Sequence, residues 1–91
     1  MIILTPAGRP LMRTDDDLFT VTGLHVARVY GKVACGPSGR YVGTIDEDRL
    51  VFKDDDSYTT RPMFVRVSHP GFTYDRYQSL RSVDGEPQFD E

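Results

Sequence analysis

Gly8, Gly23 and Gly39 recur 15 and then 16 residues apart, each inside the same pattern of apolar and polar residues. Repetition of this kind constrains the architecture before any single residue does, because each copy must bury one face against its neighbours. Three residues after each glycine stands an aliphatic side chain: Leu11, Val26 or Val42. Six after it stand Thr14, Val29 and Ile45. A polar cluster follows each time (Asp15-Asp16-Asp17, Tyr30-Gly31-Lys32, Asp46-Glu47-Asp48-Arg49), and apolar residues resume at Leu18, Val33 and Leu50. Ile3 precedes Gly8 as Leu18 precedes Gly23. Each copy therefore reads as strand, glycine turn, strand, polar turn.

Glycine supplies the positive φ that short hairpin loops demand. Pro6-Ala7-Gly8 and Gly36-Pro37-Ser38-Gly39 add proline, which presets φ before the turn closes. The β-branched and aromatic residues between these turns suit pleated strands, and helical periodicity is weak. The expectation is an all-β domain of four repeated hairpins. The fourth copy is degraded: Asp54-Asp55-Asp56-Ser57 stands where the glycine turn belongs. Arg61-Pro62-Met63-Phe64-Val65-Arg66-Val67 then reads as its strand, Ser68-His69-Pro70-Gly71 as a further turn, and Phe72-Thr73-Tyr74 as a short closing strand.

Two stretches carry the signature best. They are Gly23-Leu24-His25-Val26-Ala27-Arg28-Val29 and Gly39-Arg40-Tyr41-Val42-Gly43-Thr44-Ile45-Asp46-Glu47-Asp48-Arg49-Leu50-Val51. Their Gly-x-x-aliphatic-x-x-aliphatic spacing resembles the four-fold β-flower family of small bacterial domains, over residues 2–67. That resemblance implies four hairpins arranged radially, like petals, and implies no activity.

A chain of 91 residues has room for one domain. The expected boundaries are a hairpin-repeat domain at 1–78 and an acidic, loosely held tail at 79–91. Apolar residues make up only 38%, which gives a thin core that oligomerisation can help to complete. Cys35 is the one cysteine, so no disulfide and no thiolate metal cluster forms within the chain. The N-terminal Met-Ile-Ile-Leu-Thr-Pro lacks the basic region of a signal peptide, and no apolar run reaches the length of a membrane span. These features suggest a cytoplasmic protein without membrane contact. A net charge of −3, from 11 basic and 14 acidic residues, argues against nucleic acid as the main ligand.

The candidate functional residues each have a plainer alternative. His25 and His69 lie in different copies, and no metal-binding histidine spacing joins them, so surface or structural roles are expected. Cys35 beside Gly36-Pro37 is a small apolar packing residue before it is a nucleophile. The acidic triplets lack the alternate spacing of a calcium loop and read as solvated hairpin tips. Arg13 and Arg28 both follow their glycine by five residues, with Arg66 as a degraded counterpart, and Arg9 and Arg40 follow by one. If equivalent positions share a face, these five guanidinium groups form a ring suited to phosphate or carboxylate. The alternative is pairing with nearby aspartates. Tyr41, Phe64, Phe72 and Tyr74, with Tyr30 and Tyr77, are candidates to border an interface or to fill the core. No catalytic constellation, metal set or cofactor motif emerges. The leading expectation is a non-enzymatic module working by protein–protein contact or as a homo-oligomer. The alternative is a binder of an anionic metabolite or nucleotide through the arginines.

Overall fold

The structure, a computed structural model, describes residues 1–74 and 84–89. The expected boundary at 78/79 and Tyr77 lie outside them. Among the described residues there are seven strands: β1 (Ile2–Leu4), β2 (Pro10–Thr14), β3 (Asp17–Phe19), β4 (His25–Tyr30), β5 (Val33–Cys35), β6 (Tyr41–Asp46) and β7 (Arg49–Val51). They form a closed all-β barrel in sequence order. Six neighbouring pairs are antiparallel. The ring is closed by a parallel seam at Leu4 and Arg49, where the Leu4 N–H donates to the Asp48 carbonyl at 3.0 Å. No helix among the described residues is long and apolar enough to cross a membrane.

The repeat has a clear physical basis at its three glycine turns. Gly8, Gly23 and Gly39 all have φ between 82° and 88°, where a side chain would be strained. Their N–H groups donate to the carbonyls of Thr5, Thr20 and Gly36 at 2.8–2.9 Å. In the first two turns the threonine hydroxyl also accepts an N–H, from Arg9 and Leu24 respectively.

Register explains why the glycine spacing changes from 15 to 16. Leu18 pairs with Ala27 but Phe19 pairs with His25, so Val26 is an extra, bulged residue. Val42 is bulged in the same way between the Ala34–Gly43 and Cys35–Tyr41 pairs. The β1–β2 pair runs from Ile3–Leu11 to Leu4–Pro10 with no insertion. A bulge moves every later side chain by one position, and successive side chains point to opposite faces. Counting residues from the glycine therefore misaligns the first copy with the other two.

The paired levels inside the barrel are Ile3, Leu18, Ala34 and Leu50, flanked by Leu11, Ala27 and Gly43 on one side and by Val29 and Ile45 on the other. Large and small side chains compensate for one another across these levels. A Cβ on Gly43 would lie 2.8 Å from Leu50 Cδ1 and 3.4 Å from Pro87 Cγ, so the missing side chain is what admits both.

After β7 the chain becomes a belt. A 3₁₀ turn at Asp54–Asp56 leads to a single bridge between Thr60 and Arg40, and residues 61–74 run on without strand pairing. Where the sequence suggests a fourth hairpin, the chain instead wraps the outside of the barrel, visiting the turn at Gly39 first and the turn at Gly23 second. Residues 84–89 then reach the turn at Gly8. There the Phe52 N–H donates to the Gly85 carbonyl at 2.7 Å, and the Ala7 N–H donates to Glu86 Oε1 at 2.8 Å. Pro87 is buried, and Phe89 packs against the core beneath the Arg9 guanidinium.

Candidate functional site

The outer face of β3 and β4 and the belt across it hold a cluster of polar and aromatic contacts. His25 is fully buried, because Phe19 covers one side of its ring at 4.8 Å and Phe64 of the belt covers the other at 4.7 Å. His69 stacks on the far side of Phe19 at 4.5 Å, and the Arg28 guanidinium lies 4.5 Å over Phe64. The result is a column of His69, Phe19, His25, Phe64 and Arg28.

The hydrogen bonds fix the imidazole's state. His25 Nδ1 accepts the Val67 N–H at 3.1 Å, so the ring proton sits on Nε2. Nε2 donates to Asp17 Oδ1 at 3.0 Å, and Arg28 Nε donates to the same oxygen at 3.2 Å. A buried polar ring costs free energy unless both nitrogens are satisfied, and here both are. His25 is thus a structural latch for the belt.

Tyr41 occupies the position equivalent to His25, one repeat later, and does the same work. Its hydroxyl accepts the Lys53 N–H at 3.0 Å and donates to Thr44 Oγ1 at 2.6 Å, which donates to Asp56 Oδ2 at 2.7 Å. Its ring meets Phe52 edge-on at 5.3 Å. In both repeats an aromatic polar tip on the barrel wall captures a backbone N–H of the chain that follows β7.

The five arginines do not share one face. Pairing places Arg28 level with Met12 and Thr44, whereas Arg13 is level with the core residues Val29 and Ile45. Arg13 lies 3.5 Å from Asp16 and donates to the Asp15 carbonyl at 2.9 Å. Arg9 and Arg40 stand at the glycine turns, Arg9 over Phe89 and Arg40 at the Thr60 bridge. Arg66 is half-buried in the belt. Of the aromatic candidates, Tyr41 is buried at 4% exposure, while Phe64, Phe72 and Tyr74 are half-buried. Cys35 is buried, and that burial pushes its thiol above the usual range, with the positive charge of Arg61 opposing the shift. Among the described residues no three His, Cys, Asp or Glu side chains converge as metal ligands would.

The belt also carries a signal that glycine spacing does not reveal. Arg61-Pro62-Met63-Phe64 and His69-Pro70-Gly71-Phe72 share a Pro-x-Phe core at an interval of eight residues. They dock alike: the Phe64 N–H donates to the Pro37 carbonyl at 3.0 Å, and the Phe72 N–H donates to the Val21 carbonyl at 2.9 Å. Pro37 and Val21 are equivalent positions, two residues before Gly39 and Gly23. The Arg61 and His69 carbonyls lie where a Cβ on Gly39 or Gly23 would have to go.

On its outward side the belt exposes an apolar ridge. Extended chain alternates its side chains, so Phe64 and Arg66 face the barrel while Met63, Val65 and Val67 face away. Val65 is 86% exposed and Met63 78%, with Tyr58 also outside at 83%. No protein-family model, characterised protein or solved structure matches this chain.

Proposed function

We propose that this chain is a non-enzymatic β-barrel module that acts by protein–protein contact, self-association included, through the ridge of Met63, Val65 and Val67. The observation carrying this reading is the exposure of three apolar side chains in a row on a segment whose other face is latched to the barrel. Contiguous apolar surface presented by a pinned, extended segment is a favourable binding feature, because little ordering cost remains at association. The stacked column supplies rigidity, since its buried histidine has both ring nitrogens committed to structure.

The alternative, capture of an anionic metabolite or nucleotide by the arginines, has less support. Arg13 and Arg28 lie on opposite faces and already serve Asp16 and Asp17.

Light scattering across a concentration series tests the self-association form of the reading. The expected result is a mass that rises with concentration and returns to the monomer value in Val65→Asp. A monomer at every concentration, with apolar-dye binding unchanged in Val65→Asp, would remove the ridge from consideration.

A further inference from the structure

The barrel has three glycine turns built to one plan, and two of them hold a Pro-x-Phe segment of the belt. Among the described residues, the turn at Gly8 holds none in that manner. A Cβ placed on Gly8 meets nothing within 4 Å among the described residues, whereas at Gly23 and Gly39 it meets a belt carbonyl. The first turn nevertheless has the same backbone form. Gly8 has φ 82°, its N–H donates to the Thr5 carbonyl at 2.8 Å, and Pro6 stands where Val21 and Pro37 stand.

The chain's third Pro-x-Phe segment, Glu86-Pro87-Gln88-Phe89, is close by but otherwise engaged. Pro87 is buried towards Gly43, and Phe89 is held beneath Arg9. Its Glu86 carboxylate accepts the Ala7 N–H, the residue adjoining Gly8. A negative charge is therefore fixed beside the Gly8 turn. In the two occupied turns the residue ahead of the proline is Arg61 or His69, a basic side chain in both cases. Charge and shape at the Gly8 turn thus suit the same type of segment.

We infer that the Gly8 turn is a docking station for an extended peptide with a basic residue, then Pro-x-Phe, carried by a partner protein. The peptide carbonyl ahead of the proline lies on the Gly8 face, as the Arg61 and His69 carbonyls lie on theirs. The phenylalanine N–H is donated to the Pro6 carbonyl. The basic side chain lies against Glu86. Main-chain pairing supplies affinity and the side-chain positions supply selectivity, as in other modes of extended-peptide recognition. This site is separate from the Met63–Val65–Val67 ridge, so either can fail while the other stands.

The test is a titration of the full, isotope-labelled chain with a synthetic peptide of its own residues 59–68, followed by amide NMR. The expected result is saturable shifts confined to residues 5–9 and Glu86. Replacing the peptide's proline or phenylalanine by alanine should weaken binding by about tenfold or more. Gly8→Ala should abolish it while the remaining spectrum stays folded, and Glu86→Gln should weaken it, with the loss removed by high salt. Four results would overturn the inference. One is no shift at residues 5–9 up to millimolar peptide, and another is binding indifferent to the proline and phenylalanine. The third is displacement of the chain's own belt at the Gly23 and Gly39 turns. Shifts at residues 5–9 that appear on concentrating the chain without peptide would make a second copy the occupant and would also overturn it.

Discussion

Alanine at each of the three repeat glycines separates two causes that usually coincide. Gly8, Gly23 and Gly39 share the same positive φ, and that alone costs a side chain about 1–2 kcal/mol. Gly8→Ala should lose only this much, because no described residue stands within 4 Å of the new Cβ. At Gly23 and Gly39 the new Cβ falls on a carbonyl of the belt, which has to move. Displacing a packed backbone costs about 1–3 kcal/mol, and losing the Phe72–Val21 or Phe64–Pro37 hydrogen bond adds about 1 kcal/mol. These two variants should therefore fall about 2–4 kcal/mol below Gly8→Ala. For a domain of this size that is a large share of total stability, about 5–13 kcal/mol. Urea unfolding followed by circular dichroism measures the ordering. Amide exchange at Phe64 and Phe72 should rise in the affected variant and stay unchanged in Gly8→Ala. Equal losses at all three glycines would refute the reasoning, since φ alone would then account for them.

Three further outcomes follow from the same contacts. His25→Phe keeps the stacked column but removes the bonds to Asp17 and Val67, and should cost about 2–4 kcal/mol by urea midpoint, with faster exchange at the Val67 amide. Tyr41→Phe leaves the ring against Phe52 but strips the hydroxyl from the Lys53–Tyr41–Thr44–Asp56 chain, and should cost about 1–3 kcal/mol in the same assay. The Cys35 thiol, raised by burial, ionises in the unfolded chain before it ionises in the folded one. Its contribution to stability is full below the unfolded value of about 8.5 and is lost as pH rises towards the folded value. The stability difference between the native chain and Cys35→Ala should therefore narrow above that pH, and the native thiol should resist alkylation at neutral pH.

Much of the barrel was legible because turns and strands leave local marks. The three glycines announce their turns through φ, and the alternation of Leu11, Leu18, Val29, Ile45 and Leu50 with polar neighbours announces the wall. Two features were not legible, each for a physical reason. A bulge at Val26 or Val42 looks like ordinary β-branched strand sequence, so the shift that sets Arg13 and Arg28 on opposite faces is invisible until strands are paired. Residues 61–67 alternate as a strand would, and their extended backbone agrees with that pattern, but their hydrogen bonds go to turns and to an imidazole instead of a ladder. The candidate site left the fewest local marks. His25 was expected to have a surface or structural role, yet its partners Asp17 and Phe19 come from one stretch of chain and Phe64 and Val67 from another, and only folding brings both to its ring.

The seam between β1 and β7 has a mechanical consequence. Every other strand is fastened to a sequence neighbour through a short turn, so those ladders re-form within their own hairpins after any disturbance. The seam joins Leu4 to Arg49 at a single paired level, across nearly the whole barrel sequence. Loop closure makes it the last fastening to form and the first to part. A tensile load on the two edge strands would convert the ring into a strip at that point while the hairpins stayed intact. Residues 84–89 lie across this weak line, bonded to Ala7 on one side and to Phe52 on the other. They act as a splice over the joint, so a segment outside the barrel wall reinforces the ring at its thinnest fastening.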